Sequence, residues 1–457
     1  MQKFPEDFQK RMFRQLGEQT NAFLRALSEK PPTSVRLNPA KPSNRFLKEP
    51  SVPWYPEGRY LNERPEFVTD PLLFAGAYYV QEASSMFIGH IFRTFAPSSP
   101  LKVLDMCAAP GGKTTLLSSL ISEDSLLVAN ELVSKRVNSL LENIVRWGST
   151  NVVVTNNNIK DFAPLKGFFD VILLDAPCSG EGMFRKDFKA IQQWSENWVR
   201  SCAITQRQLI EQAVDLLAPD GILIFSTCTF SEEEDEQNIL KLLSFSALMP
   251  LRVPIQPDWN ILEVQVSSNG RVGYGYKFYP HLLKGEGFFA TIFLKQYQDN
   301  SKKVRFSKSK LEPLSRRHLS ILDEWVSSQD WKFFLHNYKL FGIHLSQEDN
   351  FKVLHQVLKI VHQGIEVGTF KNQKLIPSHA LALSQKILTN LPSIELSHSQ
   401  ALLYLQRKDF MCESFSSFKD WVLVKHQNIN LGWIKILDKR INNYYPVEMR
   451  IKKDLEM

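Results

Sequence analysis

The stretch Leu101-Lys-Val-Leu-Asp-Met-Cys-Ala-Ala-Pro-Gly-Gly-Lys113 decides the fold. Its apolar part, Leu101–Met106, is typical of a buried β-strand. The glycines that follow allow the backbone to approach a ligand closely, and a helix is predicted from Lys113 to Ile121. A strand, a glycine-rich loop and a helix in this order are a general means of holding a nucleotide-like ligand. The segment Cys107–Lys113 is therefore predicted to be a cofactor loop.

Strand-like and helix-like segments continue to alternate after this loop. Further strands are predicted at Leu126–Asn130, Val152–Thr155, Val171–Leu174 and Ile222–Ser226, with a closing antiparallel pair at 274–279 and 287–295. Helices are predicted at 4–29, at 79–95, from the end of the second strand through Trp147, at 203–218 and after Ser231, where Ser231 and Glu234 form a capping box. Such alternation implies a mostly parallel sheet covered on both faces.

Two cysteines follow the ends of predicted parallel strands. Cys178 lies in Asp175-Ala-Pro-Cys-Ser-Gly-Glu-Gly182, and Cys228 lies in Ser226-Thr-Cys-Thr-Phe230. Because chemistry gathers at the carboxyl ends of such strands, both thiols are expected to reach one substrate. A thiolate that adds to carbon 6 of a pyrimidine makes carbon 5 enamine-like and able to attack an electrophilic methyl group. Asp175 would hydrogen-bond the ring nitrogen as charge builds there.

Two acidic residues extend the predicted cofactor site. Glu131 follows the second strand, where a carboxylate accepts hydrogen bonds from ribose hydroxyls; alternatively it caps the helix that it precedes. Asp105 is expected to order the loop from the end of the first strand. Gly112-Lys113-Thr114 also resembles the tail of a P-loop, but Cys107 stands where a P-loop needs glycine, and Pro110 removes a backbone donor.

Composition narrows the class of protein. The chain has 457 residues, a formal net charge of +7 and five cysteines, and it contains no apolar run long enough to span a membrane. The sparse cysteines argue against disulfides or a metal site and favour a reducing cytosol, so a cytoplasmic monomer without metal is expected. Cys202 and Cys412 are interpreted as packing residues. The basic excess is compatible with nucleic acid.

Shifts in pattern along the chain predict four segments. Residues 1–78 form a small N-terminal accessory domain, and 79–297 hold the cofactor loop and both thiols. Residues 298–317 are a basic linker, and 318–457 form a C-terminal α+β region. The basic residues around the linker are Lys302, Lys303, Arg305, Lys308, Lys310, Arg316 and Arg317. Such a linker can also contact phosphate.

The site motifs resemble those of a known enzyme family. Cys107–Lys113, Asp175–Gly182 and Thr227–Phe230 resemble the RNA 5-methylcytosine methyltransferases of the Sun/nucleolar-protein family, and the longer string Asp175–Asp187 is most similar to the RsmF/YebU type. Other segments resemble the outer regions of that type, namely Ser34–Asn38 and Gln81–Ser85 in the N-terminal region, Gly285–Ala290 at the end of the catalytic domain, and Leu431–Lys435 and Asn442–Pro446 in a PUA-like domain.

The resemblance implies a fold, a cofactor and residue roles. The fold would be α/β, with a Rossmann-like class I methyltransferase domain, a small N-terminal domain and a C-terminal PUA-like RNA-binding region. The cofactor would be S-adenosylmethionine, held by Cys107, Ala108, Ala109, Pro110, Gly111, Gly112, Lys113, Glu131 and Asp175. Cys228 would attack carbon 6 of cytosine, Cys178 would assist release of the methylated RNA, Asp175 would contact the base edge, and Lys113 would border the cytosine.

The implied substrate is small-subunit ribosomal RNA near the decoding site. The cytosine must be flipped out of its stack to reach a deep cleft, and the phosphate contacts are expected from Arg185, Lys186 and Lys189. Trp194 and Trp198 are interpreted as core residues rather than as base-stacking platforms.

One residue departs from the family's pattern. Asn158 stands where the family has an aspartate near the adenine ring, so that position keeps an amide but loses a charge. Two other functions stay open at this stage. One is a P-loop-like NTPase, and the other is a non-catalytic RNA-binding assembly factor that has kept the fold. Intact Cys228, Cys178 and Asp175 argue against the second.

Overall fold

A computed structural model describes residues 4–98, 100–296, 312–327, 329–411, 418–438 and 440–453. The helices are α1 Glu6–Leu16, α2 Thr20–Ser28, α3 Pro71–Phe74, α4 Phe87–Phe95, α5 Gly112–Ser118, α6 Ser134–Trp147, α7 Phe188–Gln193, α8 Glu196–Leu216, α9 Glu236–Leu243, α10 Arg316–Leu322, α11 Glu348–Val357, α12 His379–Leu383 and α13 His398–Gln406.

The strands fall into four sheets. Through the catalytic region they are β1 Thr33–Leu37, β2 Ser51–Val52, β3 Tyr55–Leu61, β4 Tyr78–Val80, β5 Lys102–Asp105, β6 Leu126–Asn130, β7 Val152–Thr155, β8 Phe169–Asp175, β9 Leu217–Thr227, β10 Leu248–Pro250, β11 Leu262–Ser268, β12 Arg271–Phe278 and β13 Phe288–Lys295. Beyond it they are β14 Glu312–Pro313, β15 Trp331–His336, β16 Lys339–His344, β17 Ile360–Gln363, β18 Ile365–Lys371, β19 Lys374–Pro377, β20 Ser393–Glu395, β21 Asp420–His426, β22 Ile429–Leu437 and β23 Arg440–Asn443.

The central sheet positions the site. Its order is β11-β12-β13-β9-β8-β5-β6-β7-β17, with β10 paired to β13. Strands β5 to β9 run parallel, whereas β11 to β13 are antiparallel. The sequence predicts the parallel strands and the antiparallel pair β12–β13, and β11 is an additional strand. Alternate residues point to opposite faces, so Val103 and Leu127 pack into one core while Leu104 and Val128 pack into the other. Both faces are therefore covered.

Strand pairing crosses two of the predicted domain limits. Strand β4 pairs with β1, so the small N-terminal sheet continues past residue 78. Strand β17, from the C-terminal region, pairs antiparallel with β7 and forms one edge of the central sheet. The domain limits themselves stay a prediction. The basic residues Lys302, Lys303, Arg305, Lys308 and Lys310, like Cys412, lie outside the described residues.

The N-terminal region contacts two different partners. Helices α1 and α2 pack their aromatic face against Phe184, Trp194 and Phe230, next to the two cysteine loops. The small sheet β2-β3-β1-β4 shares a core with the C-terminal sheet β20-β21-β22-β23. The N-terminal region therefore contacts both the segments next to the cysteine loops and the C-terminal sheet.

Two predicted helix starts are wrong. Residues 79–83 are not helical because β4 pairs with β1, and the Glu82 carboxylate then accepts hydrogen bonds from Ser84 N–H and Ser85 N–H just before α4. The capping box at Ser231 is also wrong. The Ser231 hydroxyl donates to Glu233, Glu234 turns into the interior, and α9 begins only at Glu236.

Other helix limits differ in detail. The predicted helix 4–29 is divided at Gly17, whose φ of 54° is left-handed, into α1 and α2. Helix α5 ends at Ser118 rather than at Ile121, and α8 begins at Glu196, before the predicted residue 203. None of the helices within the described ranges is long and apolar enough to cross a membrane.

Candidate active site

A cleft of about 680 Å³ lies at the carboxyl ends of β5, β8 and β9. The residues from the sequence motifs that line it are Cys107, Ala108, Ala109, Pro110, Gly112, Lys113, Asp175, Arg185, Lys186 and Cys228. Gly111, Glu131, Asn158, Cys178 and Lys189 are not among the lining residues. The fold therefore brings most of the predicted cofactor loop and one of the two thiols to a single cavity.

The cofactor loop is shaped by its glycines and by Asp105. Gly111 has a left-handed φ of 108° and starts α5. The Thr114 hydroxyl donates to Asp105 Oδ2 at 2.7 Å, which confirms that Asp105 orders the loop. Asp105 Oδ1 is buried and has no hydrogen-bond partner among the residues described. Burial raises the pKa of Asp105 to about 7. A buried, unpaired carboxylate oxygen beside the cleft suits a cationic group such as an ammonium.

Glu131 lies behind the loop and contacts it. Its carboxylate accepts from Ala109 N–H at 3.3 Å and from Val133 N–H at 2.9 Å, and Arg136 lies 3.4 Å away. The Arg136 guanidinium also donates to the carbonyl of Ala109 at 2.6 Å. Glu131 thus holds the cofactor loop and the residue just before α6, and its contact with the ribose stays a prediction.

Asn158 is used by its own turn. Its side-chain carbonyl accepts from Lys160 N–H at 3.0 Å and caps the turn Ile159–Leu165, and the residue is exposed. The neighbouring Asn157 is buried, and its side-chain oxygen accepts from Lys359 N–H at 3.0 Å next to β17. The asparagine run therefore connects the central sheet to the C-terminal region, and the Asn158 amide carbonyl is already occupied.

The two thiols meet beside the cleft. Cys178 Sγ and Cys228 Sγ are 3.2 Å apart, and Cys228 N–H donates to Cys178 Sγ at 3.3 Å. The hydrogen bond to Cys228, followed by burial, raises the pKa of Cys178 well above its ordinary value. Gly182 N–H donates to the carbonyl of Cys228 at 2.9 Å, which ties the second loop to the first. The predicted convergence of the two strand ends is thus present in the geometry.

Asp175 and Lys113 form an ion pair at the floor of the cleft. Lys113 Nζ donates to Asp175 Oδ2 at 2.8 Å, and the Ser226 hydroxyl donates to Oδ1 at 2.8 Å. Burial alone would lower the pKa of Lys113, but the charge of Asp175 holds it above its ordinary value. Lys113 Nζ also lies 5.3 Å from the centre of the Phe288 ring. The carboxylate is therefore fixed from two sides and presents its remaining lone pairs to the cleft.

The predicted RNA contacts differ in their burial and in their pairing with acids. The Arg185 side chain is nearly buried, and it donates to Glu286 at 2.9 Å and to the carbonyls of Ala26 and Gly285. These partners occupy its guanidinium, so the structure argues against Arg185 as a phosphate contact. Lys186 lies 3.4 Å from Glu286 but stays exposed, and Lys189 is exposed on α7.

The tryptophans and the remaining cysteines also differ in their burial. Trp194 is buried and donates its indole N–H to Glu181, as expected of a core residue, whereas Trp198 is 46% exposed and is not one. Cys202 is buried away from the cleft, and burial raises the pKa of Cys107, which lines it. Within the described part of the chain, no group of side chains could hold a metal ion.

One wall of the cleft was not assigned from the sequence. It comes from the N-terminal region and includes Arg64, Tyr79, Gln81 and Ser85. Tyr79 stands against Gly112, where an added Cβ would lie 3.3 Å from its ring. The motif Gln81–Ser85 can be recognised in the sequence, but its periodicity predicts a helix and does not indicate that it lies beside the cofactor loop. Only the pairing of β4 with β1 puts it there.

Comparisons with known proteins agree with this geometry. A family model described as 16S rRNA methyltransferase RsmB/F matches residues 93–294. The N-terminal domain of 16S rRNA methyltransferase RsmF matches residues 4–83, and the methyltransferase RsmF PUA domain matches residues 391–451. Ribosomal RNA small subunit methyltransferase F of Psychromonas ingrahamii is 32% identical over 418 residues, which cover 87% of this chain and 85% of that protein.

Solved structures support the fold. A methyltransferase homologue from Pyrococcus horikoshii is 28% identical with a TM-score of 0.54, covering 64% of this chain and 95% of that one. NSun6 from Pyrococcus horikoshii, solved with the S-adenosylmethionine analogue SFG, has a TM-score of 0.53 at 21% identity and covers 65% of this chain and 99% of that one. This last likeness concerns the fold alone.

These findings confirm the predicted fold class and cofactor. The protein has the α/β fold of an S-adenosylmethionine-dependent methyltransferase, with an N-terminal domain and a C-terminal PUA domain, and its substrate is RNA. The unpaired Asp105 oxygen and the glycine loop fit that cofactor. The P-loop NTPase alternative is thereby excluded. At 32% identity over most of its length, the chain belongs to the ribosomal RNA small subunit methyltransferase F family.

Proposed function

We propose that the protein methylates carbon 5 of a cytosine in small-subunit ribosomal RNA near the decoding site, through a covalent bond between Cys228 and the base. The observation that carries this proposal is the pair of sulfur atoms, 3.2 Å apart, beside a cleft that also holds the Asp175–Lys113 ion pair. A ribosomal substrate also makes the cytoplasm the expected place of action.

The chemistry of cytosine explains why a nucleophile is needed. Carbon 5 does not attack a methyl group unaided, but a thiolate bound to carbon 6 makes it enamine-like. Cys228 is suited to this step because it lines the cleft, whereas Cys178 is not among the lining residues. S-adenosylmethionine, when bound, supplies the methyl group as an electrophile on its sulfonium sulfur.

The two thiols would hold different protons. With its pKa raised, Cys178 keeps its proton and can donate a hydrogen bond to Cys228 Sγ across 3.2 Å. Cys228 then adds to carbon 6. After methylation the proton on carbon 5 passes to a water molecule, and the electron pair of that C–H bond restores the double bond between carbons 5 and 6. The bond between Cys228 Sγ and carbon 6 breaks, and its electron pair returns to the sulfur, which the Cys178 thiol stabilises by a hydrogen bond. Cys178 would assist this release.

Asp175 and Lys113 would bind the base. The Asp175 carboxylate, held by Lys113 and Ser226, can accept from the amino group of cytosine. It can also accept from the ring nitrogen once a proton from water binds there, as negative charge shifts onto the ring. Lys113 would border the same edge. Cys107, Ala108, Ala109, Pro110, Gly111 and Gly112 would hold the methionine end of the cofactor beside Asp105. Glu131 would bind the ribose.

RNA would enter between the catalytic region and the N-terminal wall. The exposed cations there are Arg64 and Lys186, and both line the cleft. Phosphate contacts of this kind supply affinity, while the flipped base supplies specificity. The PUA domain shares a core with the N-terminal sheet, so it would extend the RNA-binding surface from that side.

The test is the chemical identity of the product. The enzyme is incubated with S-adenosylmethionine labelled in the methyl group and with small-subunit RNA, and the RNA is digested to nucleosides and separated. We expect label in 5-methylcytidine, none with Cys228→Ala, and normal transfer with Cys202→Ala as the matched thiol control. Label in any other nucleoside, or RNA binding without transfer by the wild type, would reject the proposal.

A further inference from the structure

The loop that carries Cys178 is held on both sides by buried side chains. Gln206 Nε2, from α8, donates to the carbonyl of Pro177 at 2.9 Å. On the other side, Ser179 N–H donates to Glu234 Oε2 at 2.9 Å. These hydrogen bonds flank Cys178 directly, so they fix the position of its backbone.

The side chains of this clamp also bind one another. Gln206 Nε2 donates to Glu234 Oε2 at 2.8 Å, and Asn238 Nδ2 donates to Gln206 Oε1 at 2.8 Å and to the carbonyl of Glu234 at 2.7 Å. All three side chains are fully buried. Two of them lie on the helices α8 and α9, which makes the clamp rigid.

Glu234 is an unusual residue to bury. It has no cation partner among the ion pairs of the described residues, and its Oε1 atom has no hydrogen-bond partner there. Burying such a carboxylate without full pairing is costly. Burial raises the pKa of Glu234 to about 7. The charge of Glu234 adds to the larger effects of the hydrogen bond to Cys228 and of burial in raising the pKa of Cys178. A buried amide in its place would make the same hydrogen bond to Ser179 without this cost.

We infer that Glu234 is the positioning residue of Cys178: its carboxylate holds the loop that places Cys178 Sγ against Cys228 Sγ. The charge of Glu234 also adds to the hydrogen bond with Cys228 and to burial in disfavouring loss of the Cys178 proton. This assignment rests on the proposed function, in which Cys178 and Cys228 take different roles. It explains why a carboxylate rather than an amide is buried behind the loop.

Other titratable groups also surround Cys178, and they define the background for any pH measurement. They are Cys228, Asp175 and Lys113 at the strand ends, Glu181 in the turn after the loop, Cys202 on α8 and Asp235 beside Glu234. Single substitutions at Glu234 leave all of these in place, so a difference between variants reports the Glu234 charge.

The test compares Glu234→Gln with Glu233→Gln. Glutamine can keep the hydrogen bond from Ser179 but removes the charge. Glu233, one residue earlier, pairs with Arg11 and does not contact the loop, so it is the matched control. Iodoacetamide alkylation of Cys178 is followed by peptide mass spectrometry across a pH series, in enzyme without RNA or cofactor. We expect the midpoint to move to lower pH in Glu234→Gln and to stay unchanged in Glu233→Gln.

A second readout follows the covalent complex with RNA. Glu234→Ala removes the hydrogen bond as well as the charge, so the adduct should persist about tenfold longer or more. Glu234→Gln should shorten that lifetime toward the wild-type value, with its pH profile shifted to lower pH. Gln206→Leu loosens the loop but leaves the charge, so it should lengthen the adduct lifetime at an unchanged alkylation midpoint.

The outcomes separate the two proposals. An unshifted alkylation profile in Glu234→Gln would overturn the role of Glu234, whatever the reaction proves to be. If Glu234→Gln does not fold, a lowered midpoint in Gln206→Leu would overturn it instead. Absence of any cytosine methylation by the wild type would reject the proposed function. The alkylation profile would still test the role of Glu234, because that measurement needs neither RNA nor cofactor.

Discussion

Replacing Arg36 with methionine should loosen the cofactor loop from behind. Arg36 is fully buried on β1 and donates to Gln81 Oε1 at 2.7 Å, to the Thr115 hydroxyl at 2.6 Å and to the carbonyl of Gly112 at 3.2 Å. Its guanidinium also lies 4.1 Å from the centre of the Trp147 ring. It has no carboxylate partner among the described ion pairs. One side chain thus joins the N-terminal sheet to α5.

The size of the effect follows from two opposing contributions. Hydrogen bonds to a charged group contribute about 1.5–3 kcal/mol each, so three of them stabilise the site by roughly 6 kcal/mol. Burial lowers the pKa of Arg36 to about 10, which corresponds to a cost of about 3 kcal/mol for keeping the charge inside. The net loss in Arg36→Met is therefore about 3 kcal/mol.

The assay is hydrogen exchange of the amides in Gly111–Ser118, because a multidomain protein does not unfold in one step. A loss of about 3 kcal/mol should make these amides exchange about 100-fold faster, and calorimetry should show weaker S-adenosylmethionine binding. Arg45→Met is the control, since Arg45 pairs with Asp70 at the surface and its loss should destabilise the protein by less than about 1 kcal/mol. Unchanged exchange in Arg36→Met would refute the reasoning.

Three further predictions concern the site itself. Cys178→Ala should accumulate a protein–RNA adduct that survives denaturing gels, because Cys228 still attacks while release is blocked; normal turnover without adduct would contradict the two-cysteine mechanism. Glu131→Gln should weaken cofactor binding by about 1–3 kcal/mol in calorimetry, because one acceptor for the ribose hydroxyls is lost, and equal affinity would count against a ribose contact. The raised pKa of Asp105 means that its protonated form stabilises the fold below about pH 4 and that this contribution is lost as pH rises to about 7. Thermal unfolding of the free protein should therefore show that, between pH 5 and pH 8, the stability of Asp105→Asn rises relative to that of the wild type by at most about 3 kcal/mol, and an identical pH response in both proteins would show that Asp105 is not the cause.

The sequence was most informative where the consequence of a pattern is local. Leu101–Lys113 forms a strand, a loop and a helix because apolar periodicity and glycine act within a few residues. The meeting of Cys178 and Cys228 could also be foreseen, since parallel strands end at one edge of a sheet. Such inferences need the fold class but no knowledge of side-chain contacts.

Contacts between distant segments escaped prediction. Arg185 looked like a free cation because its partners, Glu286 and the carbonyl of Ala26, lie far away in the chain. The spacing of Ser231 and Glu234 predicts a capping box, but the Glu234 carboxylate instead accepts a buried hydrogen bond from Ser179 N–H. Strand β17 joins the central sheet only through pairing with β7, which no periodicity within either segment reveals. In each case tertiary pairing overrode a local preference.

Tritium release tests the covalent mechanism most directly. RNA labelled with tritium at carbon 5 of cytidine is incubated with the enzyme and S-adenosylmethionine, and both tritium in water and methyl groups in RNA are counted. If Cys228 attacks carbon 6 and carbon 5 takes the methyl group, one tritium is released for each methyl transferred, and Cys228→Ala releases none while still binding the cofactor. Methyl transfer without tritium release, or release that persists in Cys228→Ala, would contradict the mechanism.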